Sequence, residues 1–318
     1  MGGGFRKKSR TAVIDALQKE IDRGFPMNKL YELLSYSRQA QHQKLQRLRD
    51  QEKRNAEVLE QGRLARIQYS RVGSRRLYYM AGISAVGINQ FERIMSGAGL
   101  HVAPLRRQKH GTDSRGQKHR YPNLLYGGYE LCDVNELVVS DLTYFRNESG
   151  LYYICLQTDV YSQRIVGHSG AQDKRSIHAV KALEMTIKLR GKASMECTIH
   201  HSDHGSEYRS DQYVNLLKDH KMQISMTSNC LENGYAERRN GTIKNDFLFY
   251  SEFSIKNLCQ LRKALDLAIY RYNHEVVQAQ LGYRTPAMYE AWIASMAPDA
   301  RPRKKLFNYK EQSTKSKS

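Results

Sequence analysis

The sequence predicts an α/β domain, with a mixed sheet and helices on its faces, preceded by an all-α region that is helix-turn-helix-like. Three observations carry this. Residues 136–170 contain three compact β-branched runs joined by short links. From residue 174 onward, helical and strand-like segments alternate, as layered α/β folds require. Residues 1–100, in contrast, place sparse apolar residues at helical spacing among many charges.

The amino-terminal region reads as helices throughout. Leu30, Leu33 and Leu34 fall at i, i+3 and i+4 behind Pro26, a helix-start residue. Ser35-Tyr36-Ser37 interrupts, and Ser37 is placed to cap a second helix beginning Arg38-Gln39-Ala40. Arg38, Gln39, Gln41 and His42 on that second helix suit groove contacts, although an ordinary helical hairpin has the same spacing. Residues 43–69 read as a long polar helix with Leu45, Leu48 and Leu59 among its sparse apolar positions, a solvated spacer or weak coiled coil. Gly73-Ser74-Arg75-Arg76 precedes a short helix, and Phe91, Ile94 and Met95 mark another that ends at Gly97 and Gly99. Arg38, Gln39, Arg75 and Arg76 are the candidate DNA contacts of this part. Residues 101–130 are basic, contain Gly and Pro and lack apolar period, as expected of a linker able to lie along a phosphate backbone.

The second part begins with the strand-like runs ELVVSDLTY (136–144), YYICLQTDV (152–160) and RIVGHSG (164–170), an antiparallel meander. A helix is expected over 174–190, with Ile177, Val180, Leu183 and Ile187 on one face. CTIHHSD (197–203) is a strand, 206–220 a helix, QISM (223–226) a short strand, and 235–249 and 255–273 are helices. The expected division is 1–100 for the helical DNA-binding arms, 101–130 for the linker, 131–292 for the α/β core with its last helices, and 293–318 for a basic tail.

Charge narrows the partners. The chain of 318 residues carries +19. Residues 1–120 hold 25 Lys+Arg against 10 Asp+Glu, residues 301–318 hold 7 against 1, and the middle is nearly neutral. Basic arms around a neutral core are the electrostatic footprint of a polyanion partner, read here as a nucleic acid rather than plain solvation. No apolar run reaches the length of a membrane span. The amino end has no apolar stretch behind its charges, so no secretory signal is expected. Five scattered cysteines suggest neither a zinc ribbon nor a disulfide framework, which fits a reducing, cytoplasmic setting.

Three acids stand out by position. Asp141 lies inside the first strand, Asp203 ends the fourth, and Glu237 is near the start of a later helix in NGYAERRNGTIK. Convergent carboxylates repel one another unless divalent cations neutralise them, and their hard oxygens suit Mg²⁺ or Mn²⁺. Two such ions about 4 Å apart activate the nucleophile and stabilise the leaving oxygen in phosphoryl transfer. Glu232 is the rival third acid, in a turn beside Asn233-Gly234. Lys244 lies seven residues after Glu237, two helical turns along the same face, and can reach DNA held there. Arg238 and Arg239 point elsewhere, toward phosphates or solvent. His200, His201 and His204 surround Asp203, but alternation on a strand and the lack of a Cys cluster argue against zinc.

VVSDLTY, TDVYSQRIVGHS, HHSDHGSEYRSDQYVNLL and NCLENGYAERRNGTIKNDF resemble the integrase-type catalytic core of bacterial insertion-sequence transposases, most closely the OrfB-type subunit of the insertion-sequence-3 family. YNHEVVQAQLGYRTPAMYEAW (272–292) is similar to that family's carboxy-terminal motif. The resemblance covers roughly 130–292 strongly, and 25–100 more loosely. It implies a ribonuclease H-like fold and a DDE transposase whose catalytic and metal-holding residues are Asp141, Asp203 and Glu237. It also implies strand cleavage in double-stranded DNA followed by transesterification, and an oligomer that holds two element ends. Two alternatives stand beside it: a non-catalytic DNA-binding or regulatory subunit that needs an OrfA-type partner, and a ribonuclease H-like nuclease of RNA–DNA hybrids, against which the helix-turn-helix-like arms and the carboxy-terminal motif argue. The expected location is the bacterial nucleoid. Thirty-three residues separate Asp203 from Glu237, two fewer than the family's usual spacing. Val138 stands where the family usually has Trp, and Val276-Val277-Gln278 replaces its Arg-Pro-His.

Overall fold

A computed structural model describes residues 27–33, 35, 37–102, 121–227, 233–251 and 254–306. Helix α1 spans Met27–Leu33 and α2 spans Arg38–Gln68. Ser35 turns the chain with a left-handed φ of 49°, and Ser37 Oγ accepts the Ala40 amide at 3.3 Å, capping α2 as its sequence position predicts. The second helix of the expected pair and the expected polar spacer are one 31-residue helix. No Pro or Gly interrupts it before Gly62, and Gly62 is itself a contact point: a Cβ there would lie 2.5 Å from Met95 Sδ. Helices α3 (Ser74–Met80) and α4 (Ile88–Gly97) pack there, closing a small core of Val58, Leu77, Ile83, Val86, Phe91 and Met95.

After a two-residue strand β1 (Glu130–Leu131), the sheet is built from β2 (Leu137–Asn147), β3 (Gly150–Asp159), β4 (Ile165–Ala171), β5 (Ile199–Asp203) and β6 (Gln223–Thr227). Its order is β4-β3-β2-β5-β6. The first three strands form the antiparallel meander, and β5 and β6 run parallel to β2. This is the ribonuclease H-like arrangement. Crossover helices α5 (Ser176–Arg190) and α6 (Asp211–Asp219) bury Val180, Leu183, Tyr213 and Leu217 against one face. On the other side lie α7 (Gly234–Thr242), which continues as a π-helix over Ile243–Leu248, then α8 (Leu258–His274) and α9 (Pro286–Ala294). No helix among the described residues is long and apolar enough to cross a membrane.

The carboxy-terminal motif has a structural task. Asn273 seals the free edge of β4: its Oδ1 accepts the Ile165 amide at 3.0 Å and its Nδ2 donates to the Ile165 carbonyl at 2.8 Å. An unpaired edge strand invites foreign pairing, and this side chain occupies it. Thr285 caps α9 by accepting the Met288 amide at 3.1 Å, with Pro286 at the first helical turn. Residues 301–306, expected as part of a basic tail, fold onto the core. Strand β7 (Lys304–Lys305) pairs antiparallel with β1, and the Lys304 ammonium lies over the rings of Tyr161 and Tyr289 at 4.7 and 4.2 Å. Arg301 pairs with Asp133.

Helix α5 approaches the sheet most closely at Gly167 of β4. A Cβ there would sit 2.1 Å from the Ala182 carbonyl oxygen and 2.2 Å from Thr186 Oγ1. Neither a helix backbone nor a buried Thr hydroxyl bound to Gln157 Oε1 at 3.0 Å can yield cheaply. Gly167→Ala is therefore expected to lower stability by about 3 kcal/mol, the upper range of core overpacking. Chemical denaturation of wild type and variant checks this, with a shifted midpoint and unchanged slope.

Candidate active site

Two acids meet because of strand register. β2 and β5 are parallel neighbours with Val139 opposite His201. Two residues further along each strand, Asp141 and Asp203 stand at the same level with the same parity, so both leave one face of the sheet. Glu237 enters from the first turn of α7, which packs against β2 and β3. Electrostatics reports the convergence. The Asp141 carboxyl is pushed up to about 7, first by burial and then by Asp203, with Glu237 adding to the effect; the Asn240 hydrogen bond and Lys244 oppose it.

The acids are held by neighbours that sequence reading did not single out. Asn240 is buried one turn after Glu237, and its Nδ2 donates to Asp141 Oδ2 at 2.7 Å. On the same loop-to-helix segment, Asn233 Nδ2 donates to the Ser140 carbonyl at 3.1 Å. Asp203 Oδ1 accepts the Gly205 amide at 2.9 Å, which bends the chain just past β5. Glu207 lies under that bend, only 3% exposed, with Lys174 at 3.6 Å. A Cβ on Gly205 would come within 2.7 Å of its carboxyl group. Behind Asp141 the sheet interior is polar. Ser140 Oγ donates to Tyr208 at 3.2 Å, Gln157 Nε2 donates to Tyr213 at 3.0 Å, and the Tyr213 hydroxyl meets His200 Nε2 at 2.8 Å. Buried networks of this kind are rigid when satisfied.

The donor set is of a kind that holds a divalent cation: carboxylate oxygens that repel one another, with one nearby ammonium. As they stand, no three His, Cys, Asp or Glu side chains among the described residues are gathered into a ligand group. Asp141 and Asp203 are engaged with Asn240 and the Gly205 amide, and Glu237 is exposed. Closing the set on a cation thus takes side-chain movement, chiefly of the exposed Glu237.

The remaining candidates divide. Lys244 Nζ donates to Thr143 Oγ1 at 2.8 Å and the Tyr144 carbonyl at 3.2 Å, on the strand that carries Asp141. Burial pushes its amine down, while Asp141 holds it up. Arg238 is exposed. Arg239 corrects the expectation of a DNA contact: it is 4% exposed, donates to the Tyr272 hydroxyl and, at 3.2 Å, to Gln163 Oε1. Adjacent helical positions face about 100° apart, so one arginine points out and the next in. Arg38 and Gln39 are exposed on the first turn of α2. Arg75 is exposed but pairs with Glu92 at 2.9 Å, and Arg76 is tied to Asp246 at 3.2 Å. His200 is buried and pushed down to about 3 by desolvation, and His201 Nδ1 meets Ser225 Oγ at 2.8 Å. Glu232 lies outside the described residues.

The chain is similar to several known proteins. Two integrase core domain models match, over residues 133–229 and 219–286. The chain is 27% identical over 245 residues to the protein named as transposase InsK of insertion sequence element IS150 in Escherichia coli (strain K12), covering 76% of this chain and 82% of that one. It is 30% identical over 168 residues to the transposase of insertion sequence element IS629 in Shigella sonnei, covering 52% and 55%. Among solved structures, the HTLV-2 integrase catalytic core in complex with magnesium is similar over 50% of this chain and 97% of that one, at 19% identity and TM-score 0.40. The simian T-cell lymphotropic virus intasome is similar over 73% of each chain, at 17% identity and TM-score 0.45.

The Asp141 environment has a stability consequence in cation-free protein. The folded state binds the Asp141 proton more tightly than the unfolded state does. The stability this contributes is present below the ordinary carboxylate range and is lost as pH rises through about 7. An amide carries no such charge and still accepts from Asn240. With chelator present, Asp141→Asn is expected to melt several degrees above wild type at pH 8 and nearly with it at pH 4. A thermal melt series across that range checks both ends.

Proposed function

We infer that this chain is an integrase-core transposase of bacterial insertion sequences, of the insertion-sequence-3 type, from its similarity to integrase core domains and to insertion-sequence transposases. It is an enzyme that cuts and joins DNA strands. In our reading, Asp141, Asp203 and Glu237 are its catalytic residues and the ligands of its divalent cations, Mg²⁺ or Mn²⁺, two per site. The single observation that carries this is the placement of Asp141 and Asp203 two residues beyond the paired Val139 and His201 of adjacent parallel strands, with Asp203 and Glu237 both close enough to raise Asp141. Bound there, divalent cations would supply charge stabilisation of the phosphoryl group and activation of the attacking oxygen.

The side chains then have separable tasks. Asp141 and Asp203 present oxygens from rigid strands, so the reacting phosphate is placed relative to the sheet rather than to a loop. Glu237 closes from α7. Lys244, beside Asp141, offers positive charge to the strand being cut, and exposed Arg238 offers it one residue from Glu237. In the first step water attacks the scissile phosphodiester, the bond to the 3′ oxygen breaks, and a free 3′-hydroxyl results. In the second, that hydroxyl attacks another phosphodiester, and the oxygen displaced there leaves with the proton. Neither step needs a covalent protein–DNA bond or a nucleotide cofactor. Two ends must be held at once, so we propose a homo-oligomer. Residues 1–100 and the basic linker 101–130 would bind the duplex, with Arg38, Gln39 and Arg75 as exposed contacts. An OrfA-type partner is the alternative source of end recognition.

Asp141→Asn, Asp203→Asn and Glu237→Gln are each expected to cut cleavage and strand transfer by on the order of 10²–10³ or more, the scale of losing a principal transition-state stabiliser, with duplex affinity nearly unchanged. Mg²⁺ and Mn²⁺ should support both steps. Ca²⁺, looser and with more ligands, should permit DNA binding without cleavage. Assays on duplexes carrying the element's own ends check this. Near-normal activity of Glu237→Gln would remove Glu237 from the site.

A further inference from the structure

The helical unit and the catalytic core meet through a defined surface. Arg66 Nη1 gathers the turn after α2 by donating to the carbonyls of Tyr69, Ser70 and Val72 at 3.1, 3.3 and 2.5 Å. The turn so fixed presents two side chains to the core. Tyr69 donates its hydroxyl to Glu275 Oε2 at 2.8 Å, and the Arg71 guanidinium lies 4.8 Å from the Tyr250 ring centroid. From the following helix, Arg76 Nη2 pairs with Asp246 Oδ2 at 3.2 Å, and Tyr79 stacks on Tyr283 at 3.7 Å. Arg76 and Asp246 are 23% and 21% exposed, so the pair is sheltered from solvent.

Asp246 is in the π-helical segment Ile243–Leu248, which continues α7 without a break. π-Helical turns are less favourable than α-helical ones and persist where neighbours hold them, often at functional sites. Here the segment is gripped twice. Lys244 anchors it to β2, the strand that carries Asp141. Asp246 anchors it to the helical unit through Arg76. The segment is continuous with α7, which carries Glu237.

We propose that Arg76 is a positioning residue that acts through Asp246 and the π-helical segment to hold the Glu237 helix, so that docking of the helical unit governs assembly of the active site. This rests on the carboxylate reading above. It also separates Arg76 from the DNA-contacting role its sequence position suggests. A phosphate contact would act through Arg76 alone, whereas a positioning pair depends equally on Asp246, an acid that would repel DNA.

The test uses the full chain and duplexes carrying the element's ends. Arg76→Ala and Asp246→Ala are each expected to lower the cleavage rate at saturating DNA by roughly 3- to 30-fold, the span of a coupling network, with unchanged duplex affinity. The exchange Arg76→Asp with Asp246→Arg should recover most of that rate and the melting temperature. Recovery guards against a simple folding defect, because a variant that merely unfolds is not rescued by a charge swap unless the pair itself matters. Three results overturn the proposal: full activity of Asp246→Ala, loss of DNA affinity without loss of rate in Arg76→Ala, or failure of the exchange to restore rate when it restores melting. Glu237→Gln, run in parallel, separates the two levels. If it is inactive while Asp246→Ala is fully active, only the coupling fails. If it is active, the carboxylate reading fails and takes the coupling with it.

Discussion

Like-charge repulsion among three carboxylates is the constraint on which the rest of this structure depends. Burial raises the Asp141 carboxyl most, and the charges of Asp203 and Glu237 raise it further, so the fold keeps like charges near one another in a desolvated place. The protein resists by rigidity on two sides. The acids on β2 and β5 cannot part without breaking a parallel ladder that runs from Leu137 opposite Ile199. Behind them, the hydrogen-bonded chain from Ser140 and Tyr208 through Gln157, Tyr213 and His200 ties β2, β3, β5 and α6 together. Stability is given up at the site and regained in the surrounding framework, the usual arrangement where chemistry needs a strained centre.

Glu237 is held differently, and this divides the site into a fixed half and an adjustable half. It is exposed, on a short helix that passes into a π-helical segment. The two strand acids provide a stationary floor. The helix that brings the third is held by Asn240 against Asp141, by Lys244 against β2 and by Asp246 against the helical unit.

Much of this was legible in the sequence, and the misses have physical reasons. β-Branched runs with short turns marked the meander, because burial on a pleated sheet selects those residues at strand spacing. Asp141 and Asp203 were legible as acids on strands, but that their levels match is a matter of register, which no single segment specifies. Glu237 stood out by its place near a helix start, but one acid there is otherwise ordinary, and the family resemblance is what preferred it to Glu232. Arg239 and Arg238 look alike in sequence, and only the position of Tyr272 and Gln163 decides which is buried. Asn273 and Tyr272 were read as part of a motif without a task. Their partners, the Ile165 backbone and the Gln163 carbonyl, lie more than a hundred residues away. Lys304 looked like one more tail cation because a lysine over aromatic rings is indistinguishable in composition from a solvated one.

The central claim is direct displacement at phosphorus, supported by carboxylates rather than by a nucleophilic side chain. The most direct measurement is the stereochemical course of a single strand-transfer step on a target carrying a phosphorothioate of defined configuration. In-line attack by the 3′-hydroxyl predicts inversion at that phosphorus. Retention would mean two successive displacements through a covalent enzyme–DNA intermediate, and would contradict the account.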